Sequence, residues 1–290
     1  MEDKSWYTAY YEKFDPYADF YFGNLLTWLN INDDLEISQL NGNVVFRFTD
    51  VFSRKTLAKS YTILGDQQAD GTIHDLITST PRISPITMIP ECFALRLTEF
   101  KDKIVENRDN WDYVYDVNEF VALDGPNYRR VRYQINAFDR LYGRSAEAEV
   151  LLLNSAEQGA ELIRQLKSWG RAYQYGNDPE EIEDVALQKR LISLSGAGSH
   201  VLKLKIKGCI EGFVVFTFPV SRSNAIVHHI KCSYKYEHMF DHLFSETMRF
   251  LSRNGVKALN LEQDLGIEGL REHKLLLRPS GFLKKYSLER

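Results

Sequence analysis

The chain has 290 residues, 44% of them hydrophobic and 26% charged, with a formal net charge of -4. That length predicts about two domains, and the apolar fraction is enough for real cores, which excludes a disordered chain. The near balance of charge excludes wholesale coverage of nucleic-acid phosphate, so any such contact has to be local.

The start of the chain, Met1-Glu2-Asp3-Lys4-Ser5-Trp6-Tyr7, carries acidic and aromatic residues where a signal peptide needs a basic stretch and an apolar run. Apolar segments such as 212–220 are far below the ~18–20 residues that span a bilayer. No integral membrane segment is therefore expected. Cys92, Cys209 and Cys232 are odd in number and widely spaced, which fits neither a disulfide framework nor a paired zinc set. These features together predict a cytoplasmic protein with no resident metal.

In chain order, the first pattern is a helix-periodic stretch over 17–29, in which Phe20, Leu25, Trp28 and Leu29 can share one buried stripe. Two strand-like runs follow at 36–40 and 44–48, joined by Asn41-Gly42, the preferred dipeptide of a tight hairpin. A β-rich run at 60–64 and a helix near 73–78 precede a stretch punctuated by Pro81, Pro85 and Pro90, which reads as loop with a short strand. Asp124-Gly125-Pro126 is a breaker and entry signal for a long helix ending near Gly143. Beyond it the patterning predicts a strand at 149–153, helices at 156–169 and 180–194, and strands at 201–206, 211–218 and 225–231. A helix at 238–251, a short strand at 258–261, a helix from about Gly269 and a last strand at 282–286 complete the order. Gly196-Ala197-Gly198 follows a helix and precedes a strand, the reverse of a phosphate loop, and reads as a helix terminator. Strands alternating with helices near the end imply a parallel crossover attached to an antiparallel meander, so the class is mixed α/β. The order β-α-α-β-β-β-α-β-α-β is also the layout of the acyl-CoA N-acyltransferase (GNAT) fold, a fold-level analogy.

Three polar clusters stand out. The densest runs over 260–274, where a buried strand ends and a helix begins, the place where α/β folds put ligands. Glu262 and Asp264 leave the strand two residues apart, while Arg271 and Lys274 share a helix face. Two carboxylates facing two cations can hold an amine or act as a base beside a bound phosphate or carboxylate. The plainer alternative is a solvated turn with Glu268 and Arg271 as a helix pair. The second cluster lies on the helix after Gly125, where Arg129, Arg132, Asn136 and Arg140 recur on one face. Such a face suits a phosphorylated ligand or an RNA backbone, and equally an ordinary solvated surface. The third is Val227-His228-His229-Ile230-Lys231-Cys232. As a strand it points His228, Ile230 and Cys232 one way and His229 with Lys231 the other, so the two histidines cannot share a metal. His238 and His242 are spaced i,i+4, but Met239 stands where a metalloprotease motif has glutamate.

Taken in order, Trp111-Asp112-Tyr113-Val114-Tyr115, the segment from Leu123 to Phe138, Val227-His228-His229-Ile230-Lys231, the block from Asn260 to Lys274, and Lys284-Lys285-Tyr286 resemble the signature blocks of the phosphatidylglycerol lysyltransferase C-terminal domain family. The resemblance implies two tandem GNAT-like halves, related to the tRNA-dependent aminoacyl transferases, here expected over 1–143 and 144–290. It implies transfer of an acyl or aminoacyl group from an activated carrier, aminoacyl-tRNA or acyl-CoA, to an amine or hydroxyl of a small-molecule or lipid acceptor, with no intrinsic cofactor. On that reading Glu262 or Asp264 positions or deprotonates the acceptor. Arg271 and Lys274 bind carrier phosphate or the developing charge, and Arg129 and Arg132 extend the phosphate track. His228, Lys231, Asn260, Lys285 and Tyr286 complete the binding set. The chain departs from the family pattern at Ile230, Leu261, Leu276 and Leu277, each a lost polar group in the expected cleft. Those losses keep a rival reading open: a non-catalytic module that holds a nucleotide, an acyl carrier or RNA.

Overall fold

The computed structural model describes residues 4–50, 59–169, 179–193, 198–218 and 223–289. In chain order its helices and strands are α1 (Lys4–Tyr11), α2 (Phe22–Asn24), β1 (Glu36–Leu40), β2 (Asn43–Phe48), β3 (Ser60–Leu64), α3 (Ala69–Ser79), β4 (Ile86–Pro90), α4 (Glu91–Ala94), β5 (Ile104–Glu106), β6 (Asp112–Asp116), α5 (Val117–Ala122), α6 (Arg129–Tyr142), β7 (Ala146–Leu152), α7 (Ala156–Ser168), α8 (Pro179–Ser193), β8 (His200–Ile206), β9 (Cys209–Thr217), β10 (Asn224–Cys232), α9 (Met239–Arg253), β11 (Ala258–Asn260), α10 (Glu268–Leu276), β12 (Gly281–Leu283) and β13 (Lys285–Leu288). The strands form two mixed sheets, in the orders β1-β2-β3-β4-β13-β5 and β12-β6-β11-β10-β9-β8-β7. Among the described residues no helix is long and apolar enough to cross a membrane.

Two compact units emerge. One holds the residues up to Asp112 with Gln263–Glu268 and those from Phe282 on; the other holds Tyr113–Glu262 with Gly269–Gly281. The first unit runs from the N-terminal side to Asp112, and α6 lies inside the second unit.

The first unit is built on the hairpin that Asn41-Gly42 announces. Both turn residues have positive φ, 52° and 82°, as a type I′ turn requires, and Leu40 pairs with Asn43. Strand β2 shows why the sheet is covered on both faces: Val44, Phe46 and Phe48 enter one core with Phe20, Leu25 and Leu29, while Val45 enters another with Ile63, Ile73 and Ile89. The stretch 17–29 keeps its buried stripe but is not one helix. It consists of a 3-10 turn, α2 and a π turn, and the Asn24 side-chain amide donates to the Ala18 carbonyl at 2.8 Å, taking an acceptor a regular helix would use.

A buried ion group holds this unit together. The Lys285 ammonium pairs with Asp19 and, at 2.7 Å, with Asp112, all three almost without exposure. The second oxygen of Asp112 accepts the Ala18 amide at 2.8 Å, and the Gln263 side-chain amide donates to Asp19 at 3.1 Å. Burial alone lowers the Lys285 pKa, but Asp112 and Asp19 outweigh it and raise the group above its ordinary value; burial pushes Asp19 up. Lys285, expected from the sequence in a binding site, is thus consumed by the core. The last predicted strand is two strands, β12 and β13, with Lys284 between them.

In the second unit, α7 and α8 cover one face of the sheet through Leu162, Leu166, Leu187 and Leu191 against Val201, Phe213 and Val215. They pack backbone to backbone: a Cβ on Gly159 would lie 2.4 Å from the Leu191 carbonyl oxygen. Alternate residues of β9 face α9, where Gly212 leaves room for Leu243 and Phe216 meets the Phe250 ring at 5.7 Å. The doublet Gly196-Ala197 lies outside the described residues.

Replacing Lys285 by methionine strands two buried carboxylates without a cation. Urea unfolding should show a loss of about 3–5 kcal/mol, and a loss below about 1 kcal/mol would refute a central role for this group.

Candidate functional site

Strand β10 crosses the middle of the second sheet, parallel to β11 and antiparallel to β9. The pairing with β11 ends at Ile226 opposite Asn260, while β10 runs on to Cys232, so the two parallel strands part company at their carboxyl ends. A bulge between Val227 and His229 breaks the register against β9. Simple alternation therefore fails at the two histidines. Both His228 and His229 feel the charge of Arg190, a fully buried cation on α8.

Glu262 follows the end of β11 in a left-handed conformation, φ 57°, which is unfavourable for a residue with a side chain by roughly 1–2 kcal/mol. Asn260 supports it: the Asn260 side-chain oxygen accepts the Glu262 amide at 2.7 Å. Held there, one Glu262 carboxylate oxygen lies 2.8 Å from Nδ1 of His228, and Nε2 of the same ring lies 2.8 Å from the Thr217 hydroxyl on β9. The His228 side chain is wholly buried, while Glu262 keeps 12% of its side chain exposed. Burial first, then Arg190 and His229, hold the His228 pKa well below its ordinary value. A neutral ring facing a carboxylate donates from Nδ1 and accepts at Nε2, so the chain runs from the Thr217 hydroxyl through the imidazole to Glu262. The carboxylate at its end is the partly exposed member, with 12% of its side chain accessible.

Beside this chain, Lys231 donates to Glu183 at 2.6 Å and pairs with Asp184 at 2.8 Å, both on α8. His229 lies 3.5 Å from the other oxygen of Glu183. Burial raises the Glu183 pKa, but Lys231 and His229 more than offset it and hold it at about 2; burial, opposed by Glu183 and reinforced by Arg190, brings His229 down to about 4. A cleft of about 550 Å³ opens past the end of this cluster, lined by Glu183, Lys231, Cys232, the loop 233–238, Asp241 and His273. It sits beyond the carboxyl end of β10 and against the first turn of α9, the position where α/β folds receive ligands.

The residues singled out from the sequence divide. Glu262, His228 and Asn260 form one hydrogen-bonded group, and Lys231 adjoins the cleft. Arg271 is half-buried on α10 and Arg129 is exposed on the first turn of α6. Others are consumed by the fold. Arg132 donates to the carbonyls of Leu123 and, at 2.8 Å, Gly125, so it closes the end of α5 instead of extending a phosphate track. Lys274 is buried, donates to the Leu261 carbonyl at 2.7 Å and lies over the Tyr113 ring. Asp264 belongs to the first unit, has no side-chain exposure, pairs with Arg108 at 3.1 Å and accepts the Gly266 amide at 2.9 Å. These contacts explain its presence without catalysis. Tyr286 donates to Glu91 at 3.1 Å. Sequence reasoning missed Glu183, Asp184, Arg190 and Thr217. The first two sit in the acidic run 180–184 at a helix start, where a carboxylate is already favoured by the helix dipole and reads as solvated.

The two buried histidines set a pH dependence. Below about pH 6.5 the unfolded chain takes up protons that native His228 and His229 refuse, so their contribution to stability is present above that pH and is lost as pH falls toward about 4. Over that window a His229→Gln variant should show a shallower fall of unfolding free energy than wild type, by up to about 1.4 kcal/mol per pH unit. Parallel curves would rule out a buried neutral His229.

Comparisons with known proteins bear on both fold and family. A structure described as a conserved protein of unknown function from Bacteroides thetaiotaomicron superposes with a TM-score of 0.79 at 22% identity, over 99% of this chain and 97% of that one. The structure of L-PGS from Bacillus licheniformis gives 0.65 at 15% identity, over 99% and 92%. FemX gives 0.53 at 10%, over 97% and 94%. These likenesses concern the fold. No curated protein sequence matches the chain. The family described as phosphatidylglycerol lysyltransferase, C-terminal, matches residues 14–289 as a single stretch, and the chain belongs to that family.

Proposed function

We propose that the chain is an aminoacyl transferase, moving an activated aminoacyl group from aminoacyl-tRNA, or an acyl group from acyl-CoA, to an amine or hydroxyl acceptor. The observation that carries this reading is the Thr217–His228–Glu262 chain, which ends in a partly exposed carboxylate on a strained backbone where β10 and β11 separate. Strain and a buried polar relay cost stability, and both are spent on presenting one carboxylate. The family name, which describes lysyl transfer to phosphatidylglycerol, supports the reaction class and a hydroxyl-bearing lipid as one acceptor. The reading carries with it two tandem GNAT-like halves. One parallel pair in each sheet, β3 with β4 and β10 with β11, supports that repeat. It also implies a cytoplasmic site of action, where both donors are made.

In the proposed reaction the acceptor nitrogen or oxygen attacks the donor carbonyl carbon. Its proton passes to Glu262, the new C–N or C–O bond forms, and the ester or thioester bond to the carrier breaks with its electrons leaving on oxygen or sulfur. His228 donates to one oxygen of the Glu262 carboxylate and so fixes the group that receives the acceptor proton. The cleft of about 550 Å³ lies in the same unit, past Lys231 and Glu183, and Glu262 is not among its lining residues. Arg129, exposed on the first turn of α6, and Arg271, half-buried on α10, are the cations for carrier phosphate in this reading, while Lys274 and Arg132 donate to backbone carbonyls.

A second reading, a binding module without turnover, is favoured by one observation: Asp264 and Lys274, expected to complete the catalytic set, are buried in closed contacts. An assay with charged tRNAs and acyl-CoAs against amine and lipid hydroxyl acceptors separates the two. Glu262→Gln should lower kcat by about 100-fold or more with donor binding retained. If wild type and the variant are equally inactive with both donor classes while still binding one, the transferase reading is wrong.

A further inference from the structure

Thr217 is fully buried at the end of β9, in the centre of a seven-stranded sheet. Valine has nearly the same shape and suits such a position better, since a hydroxyl taken out of water costs free energy unless it is hydrogen-bonded. Among the described residues the side chain that meets it is His228, whose Nε2 lies 2.8 Å from the hydroxyl on the side of the ring away from Glu262. A single contact at Nδ1 leaves an imidazole free to turn about its Cβ–Cγ bond. Contacts at both nitrogens fix its plane, and they also fix its proton, because a ring with one hydrogen can donate from one nitrogen only.

We propose that Thr217 is a positioning residue, donating its hydroxyl hydrogen to Nε2 of His228 and so holding the ring, with its proton on Nδ1, against Glu262. Burial and the neighbouring Arg190 cation keep the ring neutral, which is the state this arrangement needs. The weight of the inference for catalysis rests on the reading of Glu262 as the group that receives the acceptor proton. Thr217 itself touches no substrate, being wholly enclosed. Its effect on the reaction passes through His228, as an outer partner tunes the group in front of it.

The test uses the full chain with 15N-labelled histidine. Ring nitrogen resonances should show His228 protonated at Nδ1 and bare at Nε2 in wild type and in Thr217→Ser, with a shifted or broadened Nδ1 proton in Thr217→Val. In the transfer assay Thr217→Val should lose about 10- to 100-fold in kcat with little change in KM, and serine should restore it. A wild-type ring protonated at Nε2 overturns the proposal without recourse to any variant, including the case where Thr217→Val fails to fold. So does a valine variant with an unchanged ring signal, or one that turns over within twofold of wild type. The ring signals are read independently of activity. Absence of transfer in wild type with the expected ring pattern therefore counts against the transferase reading and not against the placement of His228 by Thr217.

Discussion

A buried ammonium group needs its counter-charge at hand, and in the second unit that requirement joins β10 to α8. Lys231 has almost no exposure, and Glu183 and Asp184, consecutive on the helix, meet it at 2.6 and 2.8 Å. Removing either side would leave a charge in a poorly solvated interior, so the pair sets where α8 lies along the strand. The close backbone approach at Gly159 presses α7 onto α8 from behind. With the helix seated, Arg190 reaches the two histidines, and its charge helps to keep both neutral. The state of His228, and through it the presentation of Glu262, follows from an ion pair several residues away.

The same region concentrates costs that a purely structural sheet would avoid. A glutamate in the left-handed region, a strand bulge beside two adjacent histidines, and a threonine hydroxyl in the sheet interior all sit within one hydrogen-bonded group. Each departs from what local preference favours, and such departures are expected where geometry serves chemistry. By contrast, the Lys285, Asp19 and Asp112 group of the first unit is equally buried but closed on all sides, with backbone and Gln263 contacts taking up the remaining positions. One cluster ends in a partly exposed carboxylate and the other does not, which separates a candidate site from a structural core.

Local signals in the sequence were informative wherever the chemistry is local. Asn41-Gly42 placed the hairpin, the alternation in β2 placed two cores, and the run from Asn260 to Lys274 marked a strand end where Asn260 holds Glu262. What the sequence could not show was partnership over distance. Nothing near Asp264 announces Arg108, and nothing near Lys285 announces Asp19, so residues of similar appearance separated into a partly exposed carboxylate and closed ion pairs only once folded. Thr217 lay within the predicted strand 211–218, and Glu183 and Asp184 lay within the predicted helix 180–194, with no local sign of their partners. The bulge at His228 was equally invisible, because it arises from the register with β9 and not from the histidines themselves. Family resemblance marked several blocks correctly without sorting their residues: Asp112 and Lys285 come from two of them and hold the core.

On the proposed function, the Thr217, His228 and Glu262 group serves transfer and not stability. The most direct measurement replaces all three together, Thr217→Val, His228→Leu and Glu262→Leu, and records both the unfolding free energy and the rate of aminoacyl transfer. Exchanging a buried polar group for packed apolar side chains is commonly neutral or stabilising. The account predicts stability within about 1 kcal/mol of wild type or above it, together with loss of transfer. A loss of about 3 kcal/mol or more with transfer retained would contradict it.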